Sequence, residues 1–268
     1  MFFKYILPIL LLMSSSNFVF AEELERIGKP VDGGISLQKP VTELARDIIS
    51  LDTLLLYIIT FIVLFVTALL TYVIFRFNKK SNPNPSDVTH NTPIEIAWTI
   101  IPILILLFIG AFSLPVLFKQ QTIPEPDLTI KVTGYQWYWG YEYPDEQIGF
   151  QSFMLEREEL SDYGYSEDEY LLATDTRVVV PIGKIIQMQV TAADVIHSWA
   201  MPAFGVKQDG VPGRLASLWF KAEKEGLYFG QCSELCGSRH AYMPITVEVM
   251  SEDNYKVWLE NAKNEYPL

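Results

Sequence analysis

Residues 53–75, TLLLYIITFIVLFVTALLTYVIF, form an unbroken run of 23 residues without a charged side chain. A second uncharged run of 23 residues, IAWTIIPILILLFIGAFSLPVLF, covers residues 96–118. At about 1.5 Å per helical residue, either run can cross the ~30 Å hydrocarbon core of a bilayer. Two buried core helices are the alternative, but the rest of this 268-residue chain would have to supply a far larger core around them. We therefore predict transmembrane helices at residues 51–76 and 94–118.

The amino-terminal residues indicate export. Residues 1–21 combine Lys4 with a short apolar run and end in Val-Phe-Ala, which is typical of a secretory signal peptide cleaved after Ala21. An uncleaved helix is the alternative, although the apolar run is short for spanning a membrane. We expect residues 22–50 to form an exported leader that ends in an amphipathic helix at VTELARDIISLDT.

The connection between the two apolar runs, residues 77–93, supports the same topology. Arg76, Lys79 and Lys80 lie directly after the first run, and cytoplasmic loops favour positive charges at such positions. We therefore expect residues 77–93 to be cytoplasmic and residues 119–268 to form an exported domain.

The formal net charge of −12 is concentrated in this domain, since residues 120–268 contain eleven Lys and Arg against twenty-three Asp and Glu. Such an excess keeps a domain soluble, and it also attracts a basic partner in a salt-dependent way. We expect no nucleic-acid partner.

Short runs rich in aromatic and β-branched residues follow the second apolar run and predict strands. Seven of them are separated by Gly, Pro, Asp and Asn: DLTIKVTG, QWYWGYEY, RVVVP, KIIQMQVT, SLWFKA, GLYFG and PITVEVM. This pattern predicts a compact β-sandwich or Greek-key barrel. SEDNYKVWLENAK predicts one closing helix capped by Ser251. At the second apolar run, Thr92 as N-cap, Pro93 in the first turn and Glu95 form a predicted capping box.

One loop, GQCSELCGSRHAYMP at residues 230–244, contains both cysteines of the chain. A disulfide is the default for two cysteines in an exported domain. His240 and Met243 argue against it, because a disulfide makes no use of an imidazole or a thioether. Zinc would accept the two cysteines together with two histidines, His240 and His197. We place His197 at the end of a predicted strand. Zinc gains little from a thioether, however, and His197 is far from the loop in sequence.

Soft thiolates with imidazoles and a methionine are typical of a copper electron-transfer site. One cysteine, two histidines and one methionine would make a mononuclear centre. The second cysteine lets both thiolates bridge two metals, each capped by one histidine. The sequence therefore favours two coppers over one.

This loop, together with DVIHSWAMP at residues 194–202 and GYQWYWGYEYP at residues 134–144, resembles the CuA site of subunit 2 of haem–copper cytochrome c oxidases. The resemblance runs from about residue 33 to the carboxyl end. It implies a membrane-anchored all-β protein, in which a two-helix transmembrane hairpin precedes a cupredoxin-like Greek-key β-sandwich.

The resemblance also implies roles for individual residues. The two coppers would be bound by the backbone carbonyl of Glu234 and by the side chains of His197, Cys232, Cys236, His240 and Met243. The Glu234 side chain would reach a magnesium ion shared with subunit 1, whereas a solvated loop carboxylate is the alternative.

Further roles concern electrons, docking and protons. Trp137 matches the residue through which electrons enter, although Trp137 and Trp139 could both be core residues on spacing alone. Glu142 and Asp194 match acidic positions that dock cytochrome c. Glu95 matches a glutamate at the entrance of a proton channel, and helix capping explains Glu95 equally well.

The chain cannot carry the oxygen chemistry. It has three histidines, two of which are assigned to copper, and it lacks a C-x-x-C-H haem-attachment motif. The resemblance therefore implies a subunit that accepts electrons from a separate cytochrome c and passes them to a haem in subunit 1, in a complex that also contains subunit 3. We expect a bacterial inner membrane with the carboxy-terminal domain in the periplasm; a mitochondrial inner membrane is the alternative. A CuA-bearing subunit of a nitric oxide reductase and a copper-delivery protein are the rival functions.

Overall fold

The computed structural model of the protein describes residues 24–268, and the predicted signal peptide at residues 1–21 lies outside the described residues. Two helices form the first part of the fold, α1 at Glu43–Arg76 and α2 at Thr92–Gln121. Both are long and apolar enough to cross a membrane, and their apolar segments are not covered by the rest of the described chain. The predicted hairpin of two apolar helices is therefore present.

The first helix begins at Glu43 rather than at residue 51, so the predicted amphipathic helix of the leader is continuous with the membrane helix. Thr42 is the N-cap of α1. Its hydroxyl accepts a hydrogen bond from the Ala45 backbone N–H at 3.0 Å and donates one to the carbonyl of Phe204 at 2.7 Å. A residue of the β-sandwich thereby fixes the start of α1.

The predicted N-cap of α2 is wrong by one residue. Asn91, not Thr92, caps the helix, since its side chain accepts from the Ile94 backbone N–H at 3.3 Å. Glu95 is therefore at N4 rather than N3, so the predicted capping box is not formed, although its carboxylate still accepts from the Asn91 backbone N–H at 3.1 Å. Asn is at least as good a cap as Thr.

The rest of the chain forms eleven strands and a final helix. The strands are β1 Arg26–Ile27, β2 Leu128–Tyr135, β3 Tyr138–Tyr143, β4 Ile148–Ser152, β5 Val178–Pro181, β6 Ile186–Ala192, β7 His197–Met201, β8 Val206–Gly210, β9 Ala216–Phe220, β10 Gly226–Cys232 and β11 Pro244–Met250. The seven predicted strands are all present, and β1, β4, β7 and β8 were not predicted. Helix α3, Glu252–Glu265, has the predicted cap, since the Ser251 hydroxyl accepts from the Asn254 backbone N–H at 3.2 Å.

The strands form two packed sheets. One has the order β5-β11-β10-β7-β8 with β1 added beside β10, and the other has the order β4-β3-β2-β6-β9. Alternate residues of the central strands point inward; on β2 these are Leu128, Ile130 and Val132. Large aromatic side chains such as Trp139 and Trp199 fill the space between the sheets. The predicted all-β sandwich is confirmed.

The β-sandwich contacts the helix hairpin directly. Gly205, with φ +70°, lies so close to α1 that a Cβ there would approach the Ala45 Cα to 2.6 Å. Lys119, near the end of α2, contacts Glu43 and Asp47 of α1 at 2.5 Å each. The indole N–H of Trp219 on β9 donates to the carbonyl of Lys119 at 3.2 Å.

Candidate metal centre

Neighbouring strands bring the predicted ligands together. His197 is the first residue of β7, not the end of a strand as predicted, and Cys232 is the last residue of β10. These two strands pair antiparallel, with Cys232 opposite Trp199. The loop after β10 carries Cys236, and a short turn carries His240 back toward β11. A ligand 35 positions away in sequence is thus brought beside the loop by ordinary strand pairing.

The donor atoms form a chain with the cysteines in the middle. The two Sγ atoms lie 3.9 Å apart. On one side, His197 Nδ1 lies 3.9 Å from the Cys232 Sγ, and the carbonyl of Glu234 lies 3.4 Å from it. On the other side, His240 Nδ1 and Met243 Sδ each lie 3.5 Å from the Cys236 Sγ. Each cysteine therefore has its own imidazole and its own weaker donor.

This arrangement bears on the three interpretations of the loop. An S–S bond is about 2.05 Å long, so the two cysteines are free thiols and the disulfide interpretation is wrong. A structural zinc takes four donors, whereas six predicted donors lie in this cluster and one of them is a thioether. The soft donor set, in which His197 and both cysteines are buried, fits copper.

The two thiols differ in proton affinity. Burial acts to raise the pKa of Cys232, but hydrogen bonds with His197 and with the backbone of Glu234 and Ser198 together lower it to about 7. Burial, followed by the charge of Cys232, raises the pKa of Cys236 to about 12. A metal that takes both thiolates must therefore displace the Cys236 proton.

Asp194 is part of this site rather than a free surface charge. Its carboxylate lies 2.9 Å from His197 Nε2 and accepts the backbone N–H groups of Gln136 at 2.7 Å and Val195 at 2.6 Å. Burial opposes ionisation, but these hydrogen bonds, that of His197 first, lower the pKa of Asp194. A carboxylate on the far nitrogen of a ligating histidine fixes the ring's orientation, leaving Nδ1 for a metal.

We expect Asp194→Asn to weaken copper binding about 10- to 100-fold, the range typical of such partners, and to change the copper spectrum. An asparagine offers one carbonyl where the carboxylate serves three donors. Copper affinity is measured by competition with a chelator, and the spectrum by electron paramagnetic resonance. Asp209→Asn, at an exposed carboxylate on β8, is the matched control. An unchanged spectrum with slower cytochrome c association would instead assign Asp194 to docking alone.

Gly134 on β2 makes room for the His197 ring, a role that sequence reasoning missed. A Cβ at Gly134 would lie 2.8 Å from Cγ and Cδ2 of His197, closer than real Cβ atoms approach. Gly134 is the first residue of the aromatic stretch GYQWYWGYEY. A glycine among bulky residues is the sequence signal for such a close approach of another side chain.

We expect Gly134→Ala to push the His197 imidazole away from Cys232, at an overpacking cost of about 1–3 kcal/mol, and to lower copper occupancy. Copper content per chain after dialysis against a weak chelator measures this. Gly110→Ala, at a position of α2 where a Cβ would meet nothing within 4 Å and φ is not positive, is the control. Full copper content in Gly134→Ala would contradict the role.

The two tryptophans occupy different environments. Trp137 lies in the two-residue turn between β2 and β3 and is half-buried. Trp139 is fully buried, and its indole N–H donates to the carbonyl of Met243 at 3.3 Å. Its ring also meets the His197 ring edge-on, with centroids 5.9 Å apart. The core interpretation thus holds for Trp139, which also supports the site from within.

The side chains of the remaining acidic candidates pair elsewhere or face solvent. The Glu142 carboxylate pairs with Lys131 at 2.8 Å, so part of its charge is neutralised. The Glu234 side chain is exposed, although its carbonyl faces Cys232. Glu95 performs the capping described for α2.

Family comparisons agree with these features. The family model described as cytochrome c oxidase subunit II, transmembrane domain, matches residues 30–116, and that of the periplasmic domain of the same subunit matches residues 128–250. Cytochrome c oxidase subunit 2 of Cereibacter sphaeroides is 57% identical over 267 residues, which cover 94% of this chain and 88% of that protein. The probable cytochrome c oxidase subunit 2 of Rickettsia bellii is 43% identical, covering 98% of this chain and 94% of that protein.

Among solved structures, the periplasmic domain of subunit II of the Bradyrhizobium japonicum cytochrome oxidase is 49% identical, with a TM-score of 0.49, and the match covers 54% of this chain and 99% of that one. The two family models together account for both the helix hairpin and the β-sandwich, and the full-length relatives span both. The chain belongs to the cytochrome c oxidase subunit 2 family.

Proposed function

We propose that this two-pass membrane protein is the subunit through which electrons enter a haem–copper cytochrome c oxidase. It accepts electrons from a cytochrome c at a dinuclear copper centre and passes them to the haem of a partner subunit, where oxygen is reduced to water with proton pumping. Its membership of the subunit 2 family supports this function over the nitric oxide reductase and copper-delivery alternatives.

The two-ended donor cluster is the observation that carries the copper assignment. The side chains that would hold the two ions are those of His197, Cys232, Cys236, His240 and Met243, and the carbonyl of Glu234 completes the set. When bound, the copper pair supplies one-electron chemistry with little rearrangement of its ligands.

Neighbouring residues of this chain hold the donor cluster in place. His197 is fully inaccessible and Met243 is 1% exposed, so water is excluded from most of the site. Asp194 holds the His197 ring, and Trp139 holds the backbone at Met243. A donor set that is fixed before metal binding has little to reorganise when an electron arrives or leaves.

Trp137 and the acidic surface would serve two different steps, electron transfer and the encounter with cytochrome c. The half-buried indole lies against Gly237 in the loop at residues 230–244, here called the copper loop, where a donor haem edge can approach it. The charge excess of residues 120–268 would raise the encounter rate of a basic cytochrome c, and Glu142 contributes to that surface.

Contacts with partner subunits are proposed for two further glutamates. The exposed carboxylate of Glu234 is free to reach a magnesium ion shared with subunit 1, since its position in the loop puts it directly beside the copper ligands. Glu95 lies at the start of α2, where subunit 1 would receive protons, and it caps the helix in either case. Subunit 3 completes the proposed core of the complex.

We place the protein in a bacterial inner membrane. Residues 51–76 and 94–118 would span it, residues 77–93 would be cytoplasmic, and residues 22–50 and 119–268 would lie in the periplasm after cleavage of the signal peptide at 1–21. The basic residues that follow α1 support this orientation.

The proposed function is tested with the purified complex. It should contain two coppers in this subunit that share one unpaired electron, and it should consume oxygen when given reduced cytochrome c. One copper with an ordinary mononuclear spectrum, or zinc alone, would contradict the dinuclear assignment. Turnover of nitric oxide without oxygen consumption would assign the chain to the reductase instead.

A further inference from the structure

The indole of Trp137 lies with one edge against Gly237, directly after the proposed ligand Cys236. The indole atoms that face Gly237 are Cζ2 and Nε1. The Nε1 atom is buried and, within residues 24–268, has no hydrogen-bond partner. Packing against the loop, rather than a hydrogen bond of its own, therefore places this ring.

Gly237 allows this approach because it has no side chain. Its φ of +126° is outside the range that L-amino acids with a Cβ readily adopt. A Cβ at Gly237 would lie 3.0 Å from Cζ2 and 3.4 Å from Nε1 of Trp137. A methyl group at this position would therefore press on the edge of the indole.

Gln136, the neighbour of Trp137, fastens the same turn to both halves of the copper site. Its side-chain Nε2 donates to the carbonyl of Cys236 at 2.9 Å, and its backbone N–H donates to Asp194 at 2.7 Å. The Cβ of an alanine at Gly237 would also lie 3.2 Å from this Nε2. The contact of the indole and the hydrogen bond of Gln136 thus both depend on the one glycine.

We propose that Gly237 is a positioning residue for electron transfer: its missing side chain seats the Trp137 indole and the Gln136 carboxamide directly on the backbone of the copper loop. Rate depends on this seat because electron tunnelling falls steeply with the distance between the indole and the copper ligands. The inference rests on the proposed function, but the seating itself is a structural statement that can be tested without turnover.

The test uses the full complex with 5-fluorotryptophan incorporated at the six tryptophans of the chain. The fluorine resonance of Trp137 is assigned from its loss in Trp137→Phe. Gly237→Ala should shift this resonance, keep the copper spectrum and the cytochrome c dissociation constant, and slow electron transfer severalfold. The matched control is Gly213→Ala, which also replaces a glycine of positive φ, here +77°, but meets nothing within 4 Å. It should change none of these quantities.

A double substitution separates seating from loop strain. In a Trp137→Phe background the indole edge is absent, so Gly237→Ala should add little to the loss of rate. Equal loss of copper from Gly237→Ala in both backgrounds would show that the loop itself needs the glycine, and it would overturn the proposal. A Trp137 resonance and a rate that match the wild type would overturn it as well. Failure of the wild-type complex to oxidise cytochrome c would instead overturn the proposed function, while the fluorine shift would still decide the contact.

Discussion

Replacing Cys232 with serine should abolish the copper centre, and Cys236→Ser should do the same. Each Sγ lies between an imidazole and a weaker donor on one side and the Sγ of the other cysteine, 3.9 Å away, on the other side. A serine hydroxyl does not ionise at neutral pH and is a poor ligand for copper, so neither end of the cluster would remain complete. Because loss of an outer partner of a ligand already costs about 10- to 100-fold, loss of a bridging ligand should reduce electron transfer by more than roughly 100-fold.

Copper content and the paramagnetic resonance spectrum of the purified complex measure this loss. Ser238→Ala changes an exposed position in the same loop and is the control for the effect of substituting any residue of the loop. Met243→Leu should keep copper but perturb its potential, since the thioether is the weaker donor. A dinuclear spectrum that survives in either serine variant would contradict the bridging role of the thiols.

Trp137→Gln should severely reduce electron transfer from cytochrome c, with little effect on docking affinity and none on copper content, because tunnelling falls steeply with distance once the ring is removed. The substitution removes the ring that lies on the copper loop but leaves the acidic residues of the surface unchanged. Stopped-flow oxidation of reduced cytochrome c gives the rate, and an equilibrium binding assay beside it gives the affinity.

The structure identifies the appropriate tryptophan control for this experiment. Trp139 supports Met243 and the His197 ring, so Trp139→Phe would disturb the centre as well as the core. Trp258 of α3 packs on Tyr143 and Tyr255 instead, and Trp258→Phe should leave the rate unchanged. A binding defect in Trp137→Gln that equals its rate defect would mean that the ring serves docking only.

The helices and central strands were predictable because their side-chain patterns come from burial itself. Residues 53–75 are apolar on all sides, and β2 alternates regularly between buried and half-exposed positions. Strand β7 has no such alternation, since every residue of HSWAM is buried. Strand β8 is a polar edge strand, VKQDG, and β1 is two residues long. Their existence depends on backbone pairing with distant segments, which the local sequence does not encode.

The cluster of possible metal donors was predictable from residue types, but the contacts that support it were not. Cysteine, histidine and methionine are rare enough in this chain that their clustering indicates a metal. Asp194, by contrast, looks like one of many acidic residues until the turn before β7 places its carboxylate on His197, three positions along the chain. Gly134 and Gly237 act through the space they leave, and the rings that use this space come from other segments.

The direct contact between the β-sandwich and the hairpin has a consequence for assembly. A domain on a flexible tether must search for its docking position, at an effective concentration set by the tether. Here Gly205 packs on α1, and the indole of Trp219 donates to the carbonyl of Lys119 near the end of α2, so these contacts set the position of the domain relative to the hairpin. Lateral association of the two helices with a partner in the bilayer would therefore also bring the domain to its docking position. The same contacts would set the distance that an electron must travel after it leaves the centre.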